Sequence, residues 1–258
     1  LTKTYPILLK FGLRVERLAR HYHAAQGDPN LVRSGNISAE EETAILALYK
    51  APPQGMSYIE ELRNSLAGEI CPMCGGSNPT TLDHYLMKQK YPEYALLTYN
   101  LVPACSCNQK RGERLYDAAT QARILHPYYD DFMSNPLIKL NFNPGIDVPI
   151  FQIVYLMPVA DPNFRNLEYH VQNVILRTNF LTFIGKRWTK VKFAPDGVLP
   201  GHFRHRSTQD EFHHYLLEQS AARSADEGCN SWASIFFRSI SEREVSDWLF
   251  ENYEVLGH

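Results

Sequence analysis

The stretch Cys71-Pro72-Met73-Cys74-Gly75-Gly76, answered further on by Cys105-Ser106-Cys107, decides how this chain is read. Two close pairs of thiols suit one tetrahedral zinc ion, because each pair supplies two ligands from a single turn and the ion then ties two distant segments together. Cys71, Cys74, Cys105 and Cys107 are therefore expected to hold a structural zinc. The second pair has one intervening residue where such pairs usually have two, so its turn departs from the usual form. Five cysteines with four of them so paired fit metal binding in a reducing compartment better than a disulfide framework. Cys229 is left over and reads as a buried small hydrophobe.

Three further runs lie around these pairs: Thr81-Leu82-Asp83-His84-Tyr85, Tyr99-Asn100-Leu101-Val102-Pro103 and Asn108-Gln109-Lys110-Arg111-Gly112. Neighbouring residues of a regular strand point to opposite faces, so Asp83 and His84 converge only where a strand ends. Thr81 and Leu82 favour a strand, and the Lys88–Tyr94 stretch breaks it. Asp83 offers a hard oxygen suited to Mg²⁺ or Mn²⁺, and Asn108 a neutral amide oxygen that leaves such an ion more Lewis-acidic than a second carboxylate would. His84, with an ordinary imidazole pKa near ~6.5, is mostly neutral at physiological pH and can accept a proton from an attacking water. Lys88, Lys90, Lys110, Arg111 and Arg114 flank these residues as a local basic patch able to hold phosphates.

On residues 71 to 112 the chain resembles the HNH, or ββα-metal, endonuclease family. The likeness rests on an Asp-His pair ending one strand, an Asn-Leu on the next, and a Cys-Asn-x-x-Arg-Gly start to a helix, with a looser likeness through His126-Pro127-Tyr128-Tyr129-Asp130. It looks most similar to the bacterial four-cysteine zinc type, several of which belong to anti-phage defence systems. Met87 stands where these proteins often have proline. The resemblance implies an α+β fold with a ββα-metal core, hydrolysis of nucleic-acid phosphodiester bonds with DNA as the substrate, and an ATPase or other defence-system protein as a partner. It gives Asn100 the task of pinning the inter-strand loop and helping to hold His84. The competing class is a zinc-stabilised nucleic-acid-binding or assembly module whose catalytic residues are silent.

Elsewhere the sequence is that of an ordinary folded protein. Its 258 residues are 44% hydrophobic, enough for a sizeable core, and a formal charge of -2 gives no global pull toward polyanions. Lys3, Lys10, Arg14, Glu16 and Arg17 interrupt the early apolar runs, and no later stretch is long enough to cross a bilayer, so no membrane partner is expected and the cytoplasm is the expected compartment. Helices are expected over 6–25, from the capping-box run at Ser38 to Pro52, over 57–66, 209–223 and 241–253. Strands are expected within 136–160, over 167–175 and over 187–193. The divisions are an N-terminal helical region (1–66), the zinc and nuclease region (67–128) and a mixed α/β region of unassigned role (129–258). The paired histidines His21, His23, His202, His205, His213 and His214 lack clear partner ligands and are not read as a second metal site. His126 reads as structural, and Tyr128, Tyr129 and Phe132 as core.

Overall fold

Ser38 opens a helix by the means its sequence encodes. Its hydroxyl accepts from Glu41 N at 3.2 Å, and the Glu41 carboxylate accepts from Ser38 N at 2.7 Å, satisfying two donors that a helix start leaves bare. In the computed structural model, which describes residues 5–66, 69–199 and 208–252, this helix is α2 (Ala39–Lys50). Before it lies α1 (Tyr5–Ala24) and after it α3 (Tyr58–Asn64). The α1 chain turns at Gly27, whose φ of +68° suits glycine; a Cβ there would lie 2.6 Å from the His126 ring.

The architecture is mixed α and β with two small sheets. Strands β1 (Thr81–His84) and β2 (Leu101–Ala104) pair antiparallel, Thr81 opposite Ala104 and His84 opposite Leu101, and the helix α4 (Cys107–Arg111) follows. Strands β3 (Ile138–Asn141) and β4 (Gln152–Tyr155) form the second antiparallel pair, with Ile138 opposite Tyr155. The remaining helices are α5 (Phe164–His170), continued by a π turn at Val171–Ile175, then α6 (Phe180–Phe193), α7 (Gln209–Glu227), α8 (Trp232–Ile240) and α9 (Arg243–Asn252).

The chain forms two compact units. One comprises Leu1–Met73, Ser77–Asp131 and Arg165–Val174. Its core around the first sheet joins Ile59, Leu82 and Leu101, with Tyr49, Met56, Leu62 and Leu96 packed against them. A second cluster in this unit is held by Arg123, whose guanidinium reaches Asp130 at 2.7 and 2.8 Å and Asp28 at 3.2 Å. The other unit comprises Cys74–Gly76, Phe132–Phe164 and Ile175–His258. There Phe142 stacks edge-on against Trp188, and Phe180 against Trp232, while Arg238 and Ser239 of α8 tie the helix to β3 through Ile138 O and Leu140 N.

Two expected strands are helices instead. In 167–175 the buried residues are Leu167, His170, Val171, Val174 and Ile175, recurring three and four apart, so the β-branched content that points to a strand belongs to a helical face. In 187–193 the window begins inside α6, whose buried row Phe180, Ile184, Trp188 and Val191 shows its period only from the earlier residues. Helix α8 was not expected; Ser231 caps it by accepting from Ser234 N at 3.0 Å. Cys229 is only partly buried and its thiol donates to Ser134 O. Tyr128 is 39% exposed and not a core residue. His202 and His205 lie outside the described residues. Among the described residues no helix is long and apolar enough to cross a membrane.

Candidate metal and catalytic site

The Cys71–Cys74 turn is held by groups remote in sequence. On one side His170 donates Nε2–H to Met73 O at 2.7 Å, its tautomer set by Nδ1 accepting from Leu125 N at 3.0 Å. On the other, Trp232 donates its indole N–H to Cys74 O at 2.7 Å and its backbone N–H to Gly75 O at 2.9 Å. Gly75 has φ +75°, and a Cβ there would sit 2.0 Å from Asn230 O, so no other residue fits the turn.

The four sulfur atoms of Cys71, Cys74, Cys105 and Cys107 lie within 4.8 Å of one another, and no disulfide joins them. Cys71 Sγ and Cys107 Sγ are 3.6 Å apart, close to the ~3.8 Å edge of a tetrahedron with zinc–sulfur bonds of ~2.3 Å. Cys71, Cys74 and Cys107 are buried and Cys105 is partly exposed. Backbone N–H groups point at two of the sulfurs, Gly76 N at Cys74 and Cys107 N at Cys105, each at 3.4 Å, and such donors favour the thiolate that a metal requires. The shortened Cys105-Ser106-Cys107 turn thus still brings both of its sulfurs into the cluster. The donor set fits a metal ion, and zinc is the ion that four thiolates suit.

Cys107 opens α4, and Asn108 beside it faces the end of β1. The Asn108 amide nitrogen donates to His84 O at 3.3 Å, and its oxygen accepts from Arg111 Nε at 2.9 Å. Burial pushes the Asp83 carboxyl up, but the neighbouring His84 ring, the Asn108 side chain and the hydrogen bond from the His84 backbone N–H at 2.8 Å outweigh it and hold the group at about 2. Asp83 is accordingly an anion at any physiological pH, with a side chain 30% exposed.

His84 is 1% exposed. Its Nε2 lies 3.0 Å from Ala95 O, and a carbonyl only accepts, so the proton is on Nε2 and Nδ1 carries the lone pair. Nδ1 has no hydrogen-bond partner and sits 3.9 Å from Asp83 Oδ1. The Tyr49 ring stands edge-on over the imidazole at 4.5 Å, anchored by its hydroxyl to Leu82 O.

No family model matches the chain, and no solved structure matches it. It is 34% identical over 93 residues to protein ea31 of Escherichia phage lambda. The shared stretch is 34% of this chain and 31% of that protein, so the chain spans about a third of the relative's length.

Asn100 is wholly buried and uses its entire amide. Its oxygen accepts from Leu86 N at 2.7 Å, and its nitrogen donates to Leu86 O at 3.2 Å and Tyr94 O at 3.1 Å, closing the loop that carries Ala95. Behind it runs a relay: His126 Nδ1 accepts from Tyr128 N, so Nε2–H donates to Tyr22 Oη at 3.0 Å, and the Tyr22 hydroxyl donates to Asn100 Oδ1 at 3.2 Å. Burial outweighs the nearby Asp130 anion and lowers the His126 pKa from 6.5 to about 3. A group with a depressed folded pKa contributes its stability above the unfolded value, here 6.5, and loses it as pH falls toward about 3. Each pH unit in that window is expected to cost about 1.4 kcal/mol. Melting curves at successive pH values check this: His126→Gln should be less stable at pH 7 and show a flatter acid decline, and an unchanged slope would refute the relay's neutral histidine.

The basic residues are placed differently from one another. Lys110 and Arg114 are exposed at the end of α4 and just beyond it. Lys90 pairs with Glu113 at 2.7 Å, and Lys88 lies over the Tyr49 ring at 4.8 Å. Arg111 is 1% exposed; it orients Asn108, donates Nη2–H to Tyr85 O at 3.3 Å and leaves Nη1 without a partner. Sequence reasoning missed Tyr49, His170 and Trp232. The last two carried no signal because their contacts run through backbone carbonyls.

Proposed function

We propose that this chain is a metal-dependent HNH-type endonuclease that hydrolyses phosphodiester bonds of nucleic acid, with DNA as its substrate. The observation that carries the reading is His84, whose Nε2–H is fixed on Ala95 O while Nδ1 stays a lone pair without a partner beside Asp83. A core imidazole ordinarily uses both nitrogens, and a general base needs one of them vacant. The succession β1, β2, α4, with Asp83 and His84 at the end of β1 and Asn108 at the start of α4, supports the same reading.

In this mechanism His84 Nδ1 takes the proton of the attacking water, and the Ala95 carbonyl stabilises the imidazolium that results through the Nε2–H bond. Asp83 and Asn108 would hold Mg²⁺ or Mn²⁺, which when bound supplies positive charge to the phosphate and to the leaving oxygen. Arg111 is a positioning residue for Asn108, and Asn100 for the loop that carries Ala95. Zinc on the four cysteines is scaffold. An ATPase or other defence-system protein is proposed as the partner that releases activity.

A second reading has its own observation. His84 is 1% exposed, and a catalytic base has to meet water, so a zinc-stabilised binding module without catalysis is the alternative. Incubating the protein with single- and double-stranded DNA and RNA, with and without Mg²⁺ or Mn²⁺, separates the two. Divalent-dependent cleavage supports the nuclease, and binding without cleavage in the presence of any partner supports the module.

Lys110 and Arg114 are expected to meet phosphates and not bases. Replacing both with glutamine should weaken binding similarly across sequences and lower the slope of log affinity against log salt by up to about 2. An unchanged slope places them away from the nucleic acid.

A further inference from the structure

Four aromatic rings gather at the surface of the first unit, where the chain enters β2. Tyr99, immediately before Asn100, is 45% exposed and Tyr128 is 39% exposed. His23, near the end of α1, is exposed as well and meets Tyr99 edge-on at 4.6 Å. Tyr129 stacks on Tyr99 at 5.7 Å, and Tyr128 stands edge-on to Tyr99 at 6.0 Å. The rings are fixed in place. Tyr128 Oη donates to Leu101 O at 2.9 Å, and the Tyr129 hydroxyl is paired with His23 Nδ1. Leu101 stands opposite His84 in the β1–β2 pair, and paired strands lie ~4.8 Å apart, so the cluster flanks His84 one strand away.

Tyrosine rings left this far in water gain free energy when a planar apolar partner covers them. The charge beside them selects the partner. From Arg14 to Ala24, α1 holds one acid, Glu16, against Arg14, Arg17 and Arg20. Arg17 and Arg20 are exposed, and Arg20, three residues before His23, lies on the same side of the helix. Its ion pair with Glu16, at 3.7 Å between side chains 72% and 64% exposed, is a solvated one that a phosphate readily replaces. Aromatic faces with cations alongside match an unpaired nucleobase and its phosphates, whereas a base inside a duplex keeps its faces in the stack. We propose that Tyr99 and Tyr128 form a stacking platform for unpaired nucleobases, so that the nucleic acid this chain engages is single-stranded beside the cut. The proposal rests on the nuclease reading for its substrate and deepens it by naming the state of the strand.

The test measures binding of dye-labelled strands to the full chain by fluorescence anisotropy, without added Mg²⁺ or Mn²⁺ so that strands stay whole, and without a chelator so that the cysteine cluster keeps any bound ion. The probes are oligothymidylate and a strand of the same length with abasic residues in place of the thymidines. Oligothymidylate is expected to bind at least about tenfold more tightly, although both carry the same phosphates. Tyr99→Leu and Tyr128→Leu should each remove most of that difference and leave abasic binding unchanged, whereas Tyr99→Phe, which keeps the plane, should retain it. Arg20→Gln should weaken both strands alike. Equal affinity for the two strands overturns the proposal, and so does an undiminished difference in Tyr99→Leu and Tyr128→Leu with unaltered melting curves. If Tyr128→Leu does not fold, because it also loses the bond to Leu101 O, Tyr99→Leu decides. Cleavage assayed separately with Mg²⁺ keeps the two readings apart: cleavage without a base preference removes the platform alone, and a base preference without cleavage removes the nuclease reading alone.

Discussion

His84→Ala is expected to lower cleavage by roughly 10²–10⁴-fold while zinc content and nucleic-acid affinity stay close to those of the unaltered chain. A general base acts on the water in the transition state and contributes little to the bound ground state, so the loss falls on kcat and not on binding. The geometry makes the substitution informative. The His84 side chain makes one hydrogen bond, to Ala95 O, and an edge contact with Tyr49, so its removal leaves the Asn100 bonds to Leu86 and Tyr94 in place. A stability loss of order 1–3 kcal/mol is expected from the vacated volume. Asp83→Ala and Asn108→Ala should fail by another route, since they remove the proposed ligands of the divalent ion. Raised Mn²⁺ should partly restore Asn108→Ala and should not restore His84→Ala. Equal rates for the unaltered chain and His84→Ala, measured with any partner present, would end the proposed role.

The helices with explicit start signals were legible in the sequence. Ser38 with Glu41 carries its cap in the text of the chain, because a cap is a local bond between residues three apart, whereas the matching cap of α7 at Thr208 emerged only in the structure. The four-cysteine cluster was legible for a related reason: short spacings put two sulfurs on one turn whatever the rest of the fold does. The strands expected at 167–175 and 187–193 were misread because β-branched residues on a buried helical face give the same composition as a strand, and only the spacing of the buried row separates them. At the candidate site, adjacency gave Asp83 and His84. The tautomer of His84 was out of reach, since it depends on a backbone carbonyl eleven residues away. Arg111 and Lys110 are neighbours of one charge in sequence, yet α4 turns one inward to Asn108 and leaves the other in solvent.

Stripping the metal with a chelator is expected to unfold the sheet β1–β2 together with α4, and one zinc per chain is expected by elemental analysis before treatment. Structural zinc sites carry about 10–16 kcal/mol of apparent binding free energy near neutral pH, as much as the whole stability of a typical domain. The placement of the sulfurs explains why so much should rest on the ion here. The strand pair has four residues on each side, too short to persist alone, and the segments that enter it are fixed by Cys71 before β1 and by Cys105 and Cys107 after β2. Without an ion, four groups with sulfurs as close as 3.6 Å either carry repelling charges or take protons and lose their shared partner. Cys74→Ser should therefore abolish zinc binding and lower the melting temperature steeply, and Cys107→Ser, at a wholly buried position, more than Cys105→Ser at a partly exposed one. Protein purified without zinc, or Cys74→Ser with full zinc content and an unaltered melting curve, would show that the cluster is packing and not a metal site. Because Cys107 is followed directly by Asn108, the loss of zinc should also release Asn108 from His84 O, so cleavage should fail with the fold even when Mg²⁺ is abundant.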